Sequence, residues 1–290
     1  MDPIVARKTW RTLEPVHGMV YFAPEPAEAY AALGIRGARM GYFGSRSAAM
    51  GAVPAEVVIA TFFNFHPGLV RRAIPAAWGI ASPADLLAAR LDGADRALRR
   101  AFGDELLASS QLAEGAELAR RAALAACEHP EGRPLFAGHA ALPWPDDAHL
   151  VLWHAQSLLR EFRGDAHVAA LLLEGLRGVE ALVIHGATGE VPPAALQASR
   201  AWPDDEWAAA VDGLRSRGLV ADREPLALTD SGRAHRQWVE DRTDACSAVA
   251  YEPLGEAGCE RLRAIGRVCS RAVIDAGLLA VDPDRFLSQD

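Results

Sequence analysis

The segment WHAQSLLREFRGDAH, which ends at His167, carries the densest group of side chains that could do chemistry. His154 and Glu161 are seven positions apart, so a helix would place them two turns apart on one face. Arg163, Asp165 and His167 follow directly in the sequence. Because imidazole and carboxylate groups bind metals and also exchange protons, the group could hold a metal or line a polar pocket.

The same five side chains also have a purely structural interpretation. A corner between two helices is often fixed by Arg–Asp and His–Glu hydrogen bonds, without any ligand. The spacing of His154, Glu161 and His167 matches no metal motif with a known mechanism. A pocket for an organic molecule is therefore favoured over a metal site, and the structural role stays open beside it.

A second group of polar side chains lies near the start of the chain. His17 and Tyr21 are one helical turn apart, and the glycine- and arginine-rich segment Gly34–Gly51 follows them. Backbone N–H and guanidinium groups of such a segment could hold an anion, although the order of residues is not that of a nucleotide-binding P-loop. A structural role is the alternative. The candidate ligand-binding residues of this group are His17, Tyr21, Arg36, Arg39, Tyr42 and Arg46. If the two groups line one pocket, His154, Glu161 and His167 should face a single cavity, with His17, Tyr21 or Arg39 on its opposite wall.

No catalytic motif accompanies these groups. The sequence has no GxSxG, no HExxH and no strand-linked GxGxxG pattern, and it has no recognisable nucleophile–base pair. It therefore identifies no reaction, and no motif requires a cofactor. The four cysteines are widely spaced and lack the CxxC pattern, which is typical of reduced structural thiols.

Composition and charge limit the class of protein. Half of the 290 residues are hydrophobic, so the chain can bury a substantial, mainly helical core. The formal net charge of −8 gives no overall attraction to a phosphate backbone. The opening segment MDPIVARKTW has no apolar signal core, and no apolar run is long enough to span a bilayer. We expect a cytoplasmic protein that does not contact membranes.

Helical periodicity predicts the elements that would position the N-terminal group. The predicted helices are Val5–Phe22, Ala27–Leu33, Pro54–Asn64, Leu69–Ala77, Ser82–Phe102 and Glu105–Cys127. The five glycines and three arginines of Gly34–Gly51 predict a loop or an irregular, closely packed turn. Glu128–Asp147 contains four prolines and predicts a boundary between a helical N-terminal domain, residues 1–145, and a second domain, residues 146–290.

The second domain is also predicted to be mainly α. A helix His149–Phe162, capped by Asp146 or Asp147, should end at Gly164, and Asp165 should cap the next helix. The remaining predicted helices are Ala166–His185, Pro193–Arg200, Asp204–Arg217, Ser231–Ser247 and Glu256–Ala276.

Two stretches of the chain repeat one order of elements. Residues 57–98 and residues 182–219 each read as an apolar helix, a short proline-started helix ending in tryptophan, and an alanine-rich helix. This order would fit a degenerate second helix-turn-helix unit in the N-terminal half. Alanine-rich helices also resemble one another without a duplication, so both explanations stay open.

The segment VDGLRSRGLVADREPLALTDSGR, residues 211–233, has the order of the back half of a winged helix-turn-helix. A helix ends in Arg-Ser-Arg-Gly, a strand at Leu219–Val220 leads into a turn, and a return strand at Leu226–Thr229 precedes a helix capped by Asp230 or Ser231. Through RSRGLV and LTDSGRA, residues 165–276 resemble the MarR family of winged-helix regulators. The whole chain also resembles an actinobacterial helix-turn-helix family without an assigned activity, through HGMVYF, GAVPAEVV and WHAQ.

The helix that would read DNA in such a fold is acidic. Asp204, Asp205 and Glu206 lead it, whereas a recognition helix favours Arg, Asn, Gln or Ser near its N-terminus. The wing is short, and its Arg223 lies between Asp222 and Glu224. The sequence therefore favours a small-molecule-binding protein, for sequestration, sensing or specialised metabolism, on a scaffold that has lost DNA binding. The alternative is a MarR-like transcriptional regulator that binds nucleic acid.

The resemblance to MarR proteins also implies a homodimer that pairs through its last helices. The apolar residues that would form this surface are Trp238, Val249, Leu254, Leu262 and Ile265. The N-terminal half could cover the same surface and leave a monomer.

Overall fold

The computed structural model describes residues 1–279, and most of these residues lie in helices. The helices are α1 (Pro3–Gly18), α2 (Pro24–Ala32), α3 (Ala38–Ser47), α4 (Ala55–Phe62), α5 (Pro67–Arg71), α6 (Pro83–Leu107), α7 (Ser110–Cys127), α8 (Pro134–Ala140), α9 (Ala148–Leu173), α10 (Gly178–Gly186), α11 (Pro193–Arg200), α12 (Asp204–Ser216), α13 (Asp230–Ala248) and α14 (Gly255–Asp275). Short 3₁₀ turns follow α1, α3, α5 and α13. None of the described helices combines the length and apolar character that crossing a bilayer requires.

Local capping explains where several helices begin. Ser82 starts α6 as predicted, because its hydroxyl accepts from the Asp85 amide and the Asp85 carboxylate accepts from the Ser82 amide. Helix α13 begins one residue earlier than predicted. Its cap is Thr229, whose hydroxyl accepts from the Gly232 amide, rather than Asp230 or Ser231.

The predicted loop over Gly34–Gly51 is wrong, because its central residues form helix α3. Two of its glycines are packing residues. A methyl group at Gly41 would lie 2.9 Å from the Tyr30 ring, and one at Gly44 would lie 3.3 Å from Leu86. Glycine here allows α3 to approach α2 and α6 closely, at the helix-propensity cost that glycine always carries.

The predicted break at Gly164 is also wrong, because α9 runs without interruption from Ala148 to Leu173. Asp165 does not cap the helix it lies in. Its carboxylate accepts from the Phe136 amide at 2.9 Å and so satisfies a free N–H group in the first turn of α8. That short helix occupies the segment predicted as the boundary between domains.

Three clusters of buried apolar residues hold the helices together. The first joins α1, α6 and α7 to α9 and α14, and it therefore draws on both sides of residue 145. The second lies between α2 and α6, with Leu135 of α8. The third surrounds α10, α11 and α12. The packing of α1 and α9 joins the two halves of the chain. The boundary between two domains at residue 145 stays a prediction.

The segment predicted as the wing is very short. The predicted strands reduce, among the described residues, to one antiparallel bridge between Val220 and Leu228. The Ala221 amide donates to Ala227 at 2.9 Å, and the Thr229 amide donates to Leu219 at 3.1 Å. Helix α4, the 3₁₀ turn Ala76–Gly79 that contains Trp78, and helix α6 correspond to α10, α11 and α12 in the two compared stretches. The proposed duplication stays a prediction.

The surface predicted to pair two copies is covered by this chain's own N-terminal half. Leu262 and Ile265 are fully buried in the first core cluster, beside α1 and α7. A methyl group at Gly115 of α7 would lie 2.7 Å from Ile265. Trp238 is the member of the predicted set that is exposed. A homodimer stays a prediction, and these buried residues cannot form its interface.

Candidate functional site

Four helices bring polar side chains from distant parts of the sequence together inside the protein. We call this group the arginine cluster. Helix α1 contributes His17 with Tyr21 just after it, α3 contributes Tyr42 and Arg46, α6 contributes Arg90, and α9 contributes Arg160 and Glu161. The segments on either side of these residues supply the apolar core, so the helices position the polar groups as they pack.

Glu161 lies at the centre of the cluster. Arg46 donates two hydrogen bonds to its carboxylate, at 2.9 and 2.7 Å, and Arg160 donates a third at 3.0 Å. Burial alone would raise the pKa of Glu161, but the two guanidinium groups hold it well below the usual range. Arg46 also donates to the Tyr42 hydroxyl at 2.8 Å. Glu161 is therefore an ionised carboxylate that orients Arg46.

A chain of hydrogen bonds fixes the tautomer of His17. The Ser157 hydroxyl donates to the Trp153 carbonyl at 2.8 Å, so its oxygen is left to accept from His17 Nδ1, also at 2.8 Å. The other ring nitrogen, Nε2, then accepts from the Tyr21 hydroxyl at 3.1 Å. Burial, with Arg160 and Arg90 nearby, holds the pKa of His17 well below its usual value. His17 is therefore a neutral imidazole that orients Tyr21.

Arg90 is the least satisfied member of the cluster. Its side chain is 2 % exposed, and one guanidinium nitrogen, Nη2, donates to the Tyr21 hydroxyl at 3.1 Å. The guanidinium carbon lies 5.1 Å from the Tyr21 ring centre and 5.5 Å from that of Trp153. The other nitrogen, Nη1, has no hydrogen-bond partner among the described residues. Leaving a buried charged donor unsatisfied is costly, which makes this position unusual.

The remaining predicted residues lie elsewhere. His154 is buried against the Trp144 ring, with ring centres 4.8 Å apart, and burial lowers its pKa to about 4. Arg163 pairs with Glu240 and Asp244 of α13. His167 Nδ1 lies 3.0 Å from the Thr243 hydroxyl of α13.

The last two predicted residues also lie outside the cluster. The Asp165 carboxylate binds the first turn of α8. Arg39 is exposed, beside Arg200. The structure thus joins Glu161 to the N-terminal group of His17, Tyr21 and Tyr42, and it places His154 and His167 apart from them.

The predicted metal ligands His154, Glu161 and His167 do not come within ligand distance of one another. Among the described residues, the group with that geometry is Asp95, Asp147 and His149. Arg99 donates to both of these carboxylates, at 2.8 and 2.6 Å. The positive charge of Arg99 therefore already neutralises the carboxylates that a metal ion would bind.

Sequence reasoning missed Arg90, Arg160 and Ser157. Arg90 had a detectable signal, because it follows Leu86 by four positions on the buried face of α6 that also includes Ala94 and Ala97. A charged residue on an apolar helical stripe needs a partner. Arg160 had no such signal, because it reads as one more polar residue of α9.

Comparison with known proteins adds one finding. A model of a helix-turn-helix family matches residues 6–280, nearly the whole chain. The chain belongs to this helix-turn-helix family. Neither a curated protein nor a solved structure matches it.

In this member of the helix-turn-helix family, the loop between α4 and α5 contacts the turn between α11 and α12. The Trp202 indole donates to the Asn64 carbonyl at 2.9 Å, and the His66 amide donates to the Arg200 carbonyl at 3.0 Å. His66 Nε2 lies 3.2 Å from a carboxylate oxygen of Glu206, in the first turn of α12. The N-terminal end of α12 is therefore held against the N-terminal half of the chain.

The exposed face of α12 carries negative charge. Asp204, Asp205 and Asp212 are exposed, together with Ala208 and Ala209. Arg215, near the end of the helix, lies within ion-pair distance of carboxylates of α12 and the following turn, namely Asp212, Asp222 and Glu224. Placed in a DNA groove, this face would meet phosphate groups with charge of the same sign.

Proposed function

We propose that this helix-turn-helix protein binds a small organic molecule at the arginine cluster. The observation that carries the proposal is the buried Arg90 guanidinium, whose Nη1 has no hydrogen-bond partner in residues 1–279, in a group of convergent polar side chains. Binding sites combine apolar walls with a few oriented polar groups, and the rings around Arg90 and Arg46 supply such walls. A ligand that accepts from Arg90 would remove the cost of its unsatisfied donor.

Access to the cluster would be from its partly exposed side. Tyr21, Tyr42 and Arg160 are each only partly buried, while His17 and Arg90 lie behind them. Rotation of the tyrosine or arginine side chains would admit a ligand without moving a helix. Arg39 and Arg200 lie on the side of the cluster that faces α11, where they extend its positive charge.

We propose further that the C-terminal half is a MarR-like winged helix that serves as a scaffold rather than a DNA reader. The order of α10, α11 and α12, followed by the bridge between Val220 and Leu228, supports a reduced wing. The exposed face of α12 is acidic and would repel phosphate groups. The contact of Glu206 with His66 also holds the start of α12 against the N-terminal half, which leaves it less free to enter a DNA groove. These features of α12 support our proposal that the partner of this protein is a small molecule rather than nucleic acid.

A thermal-shift screen against organic metabolites tests the first proposal. At a concentration 100-fold above Kd, a bound ligand should raise the Tm by roughly 5 °C. Tyr42→Phe should weaken the response, because it removes the hydroxyl that Arg46 holds in the cluster. Tyr251→Phe is the matched control, since this buried tyrosine lies outside the cluster and its hydroxyl has no partner among the described residues. Equal responses of the two variants to every ligand would place binding elsewhere.

Membership of a helix-turn-helix family supports a second candidate, a DNA-binding transcriptional regulator. Binding of genomic fragments at increasing salt distinguishes the two functions. A regulator that contacts phosphates gives a steep fall of log K with log salt. We expect no binding even at low salt, and a steep slope would instead establish the regulator.

A further inference from the structure

We infer that the ligand of the arginine cluster is a small aromatic or planar carboxylic acid, bound as its monoanion by Arg90. This inference rests on the proposed function and specifies the chemical class of the molecule. It follows from the balance of charge in the cluster, the position of the free donor and the rings that surround it.

The charges in and beside the cluster do not cancel. The guanidinium groups of the cluster are those of Arg46, Arg90 and Arg160, and the carboxylates that accept from them are those of Glu14 and Glu161. Even when both carboxylates are ionised, one positive charge is uncompensated. An uncompensated buried charge is unfavourable, and an anion of charge −1 would neutralise it.

The uncompensated charge belongs to Arg90. Arg46 forms a bidentate ion pair with Glu161. Arg160 donates to Glu161 at 3.0 Å and to Glu14 at 3.2 Å. Arg90 donates to a neutral tyrosine hydroxyl, and its Nη1 is free among the described residues. A carboxylate oxygen is a strong acceptor for that nitrogen.

The fixed negative charge of Glu161 selects against a dianion. A phosphate or dicarboxylate would bring two negative charges beside the ionised carboxylate of Glu161. That carboxylate already accepts hydrogen bonds from Arg46 and from one nitrogen of Arg160. A monoanion meets the uncompensated charge without this repulsion. The chemistry of the site therefore favours one carboxylate group over a phosphoryl group.

The rest of the ligand would contact aromatic rings. The Tyr21 and Tyr42 rings are 5.0 Å apart, Tyr42 lies 5.5 Å from Phe65, and Trp153 flanks Arg90. These rings contact one another, and a planar molecule held by Arg90 would pack against their outer faces or edges. Neither the charge nor the rings alone would specify the class, but together they describe an acid with a flat apolar body.

Calorimetric titration of the 290-residue chain tests the inference with benzoate, cinnamate and phenylacetate. Benzamide, of nearly the same shape but neutral, and inorganic phosphate complete the panel. We expect at least one of the three acids to bind, with benzamide and phosphate at least 10-fold weaker. Arg90→Met should weaken acid binding about 10- to 100-fold, because a charged hydrogen bond is lost. Arg96→Met, at a half-buried position of the same helix outside the cluster, should bind the acid as the wild type does.

Several outcomes would overturn the inference. These are equal binding of benzamide, preferred binding of phosphate, unchanged acid binding by Arg90→Met, or no binding of any acid at millimolar concentration. If Arg90→Met does not fold, Arg160→Gln replaces it, and we then expect a smaller loss of acid affinity at a partly exposed position. A neutral metabolite that stabilises the wild type but not Tyr42→Phe would overturn the carboxylate class alone, leaving the proposed function in place.

Discussion

At the scale of single residues, burial determines the protonation of two histidines that lie inside the protein. His139 and His154 are both buried, and burial lowers the pKa of each to about 4. In the unfolded chain, a histidine has its ordinary pKa near 6.5. Below that pH the unfolded state binds more protons than the folded state, so the folded state loses stability as the pH falls from about 6.5 towards 4.

His154→Leu should remove the share of this acid sensitivity that belongs to His154. We expect the wild type to lose about 2 kcal/mol more than the variant between pH 7.5 and pH 5, the difference that two states with these pKa values produce. Urea unfolding at both pH values measures it. His154→Gln also cannot titrate and should show the same reduced pH dependence, whatever its stability at pH 7.5. Parallel loss of stability in all three proteins would contradict a neutral buried His154.

At the scale of elements, a close backbone contact joins the helix-turn-helix segment to the N-terminal half. Gly178, the first residue of α10, lies against the loop that follows α4. A methyl group there would collide with the Phe63 carbonyl oxygen and lie 3.0 Å from Asn64 Cα. The same loop contains His66, which contacts Glu206 of α12. Glycine at position 178 therefore permits the contact that holds α12 in place.

Gly178→Ala should destabilise the protein by about 1–3 kcal/mol, because two backbone segments must move apart to admit the methyl group. Hydrogen exchange in α11 and α12 should become faster as their contact with the loop weakens. Gly79→Ala is the matched control, since a methyl group there would meet no atom within 4 Å. We expect the control to change the free energy of unfolding by less than about 0.5 kcal/mol. Equal stabilities of the two variants, measured in urea, would show that the contact is not tight.

At the scale of the whole molecule, the first core cluster makes the two halves of the sequence dependent on each other. Leu13 of α1 packs beside Gly266 of α14, where a methyl group would lie 3.0 Å from its side chain. Ser270 of α14 donates to the Thr12 carbonyl at 2.6 Å. The N-terminal helix thus completes the core of the C-terminal half.

Separate fragments 1–145 and 146–290 should therefore not fold alone. Each would expose the apolar surface that the other covers, including the faces of α1 and α14. We expect each fragment to lack a cooperative thermal transition by circular dichroism, and a mixture of the two to regain one. A cooperative transition of fragment 146–290 by itself would show that residue 145 is a true domain boundary.

The sequence by itself determined the features that depend on neighbouring residues. Helical periodicity and caps such as Ser82 act within a few positions, and they placed most helices to within a few residues. The helix-turn-helix family and the acidic α12 were also predictable, because both can be read from contiguous segments. His17, Tyr21, Tyr42 and Glu161 were identified as candidate site residues, and Glu161 was expected to face His17 and Tyr21, although the hydrogen bonds that hold them were not predictable.

Only the tertiary structure decided what these polar residues contact. Arg46 and Glu161 are 115 positions apart, and no local pattern links them. The same is true of Asp165, whose carboxylate binds the start of α8 rather than its own helix, so that α9 continues through Gly164. The close packing of α3 likewise involves the ring of Tyr30 and the side chain of Leu86, which lie outside its own segment. Caps and periodicity are local interactions, whereas the partners of buried charges are set by how distant helices pack, and the arginine cluster belongs to the second kind.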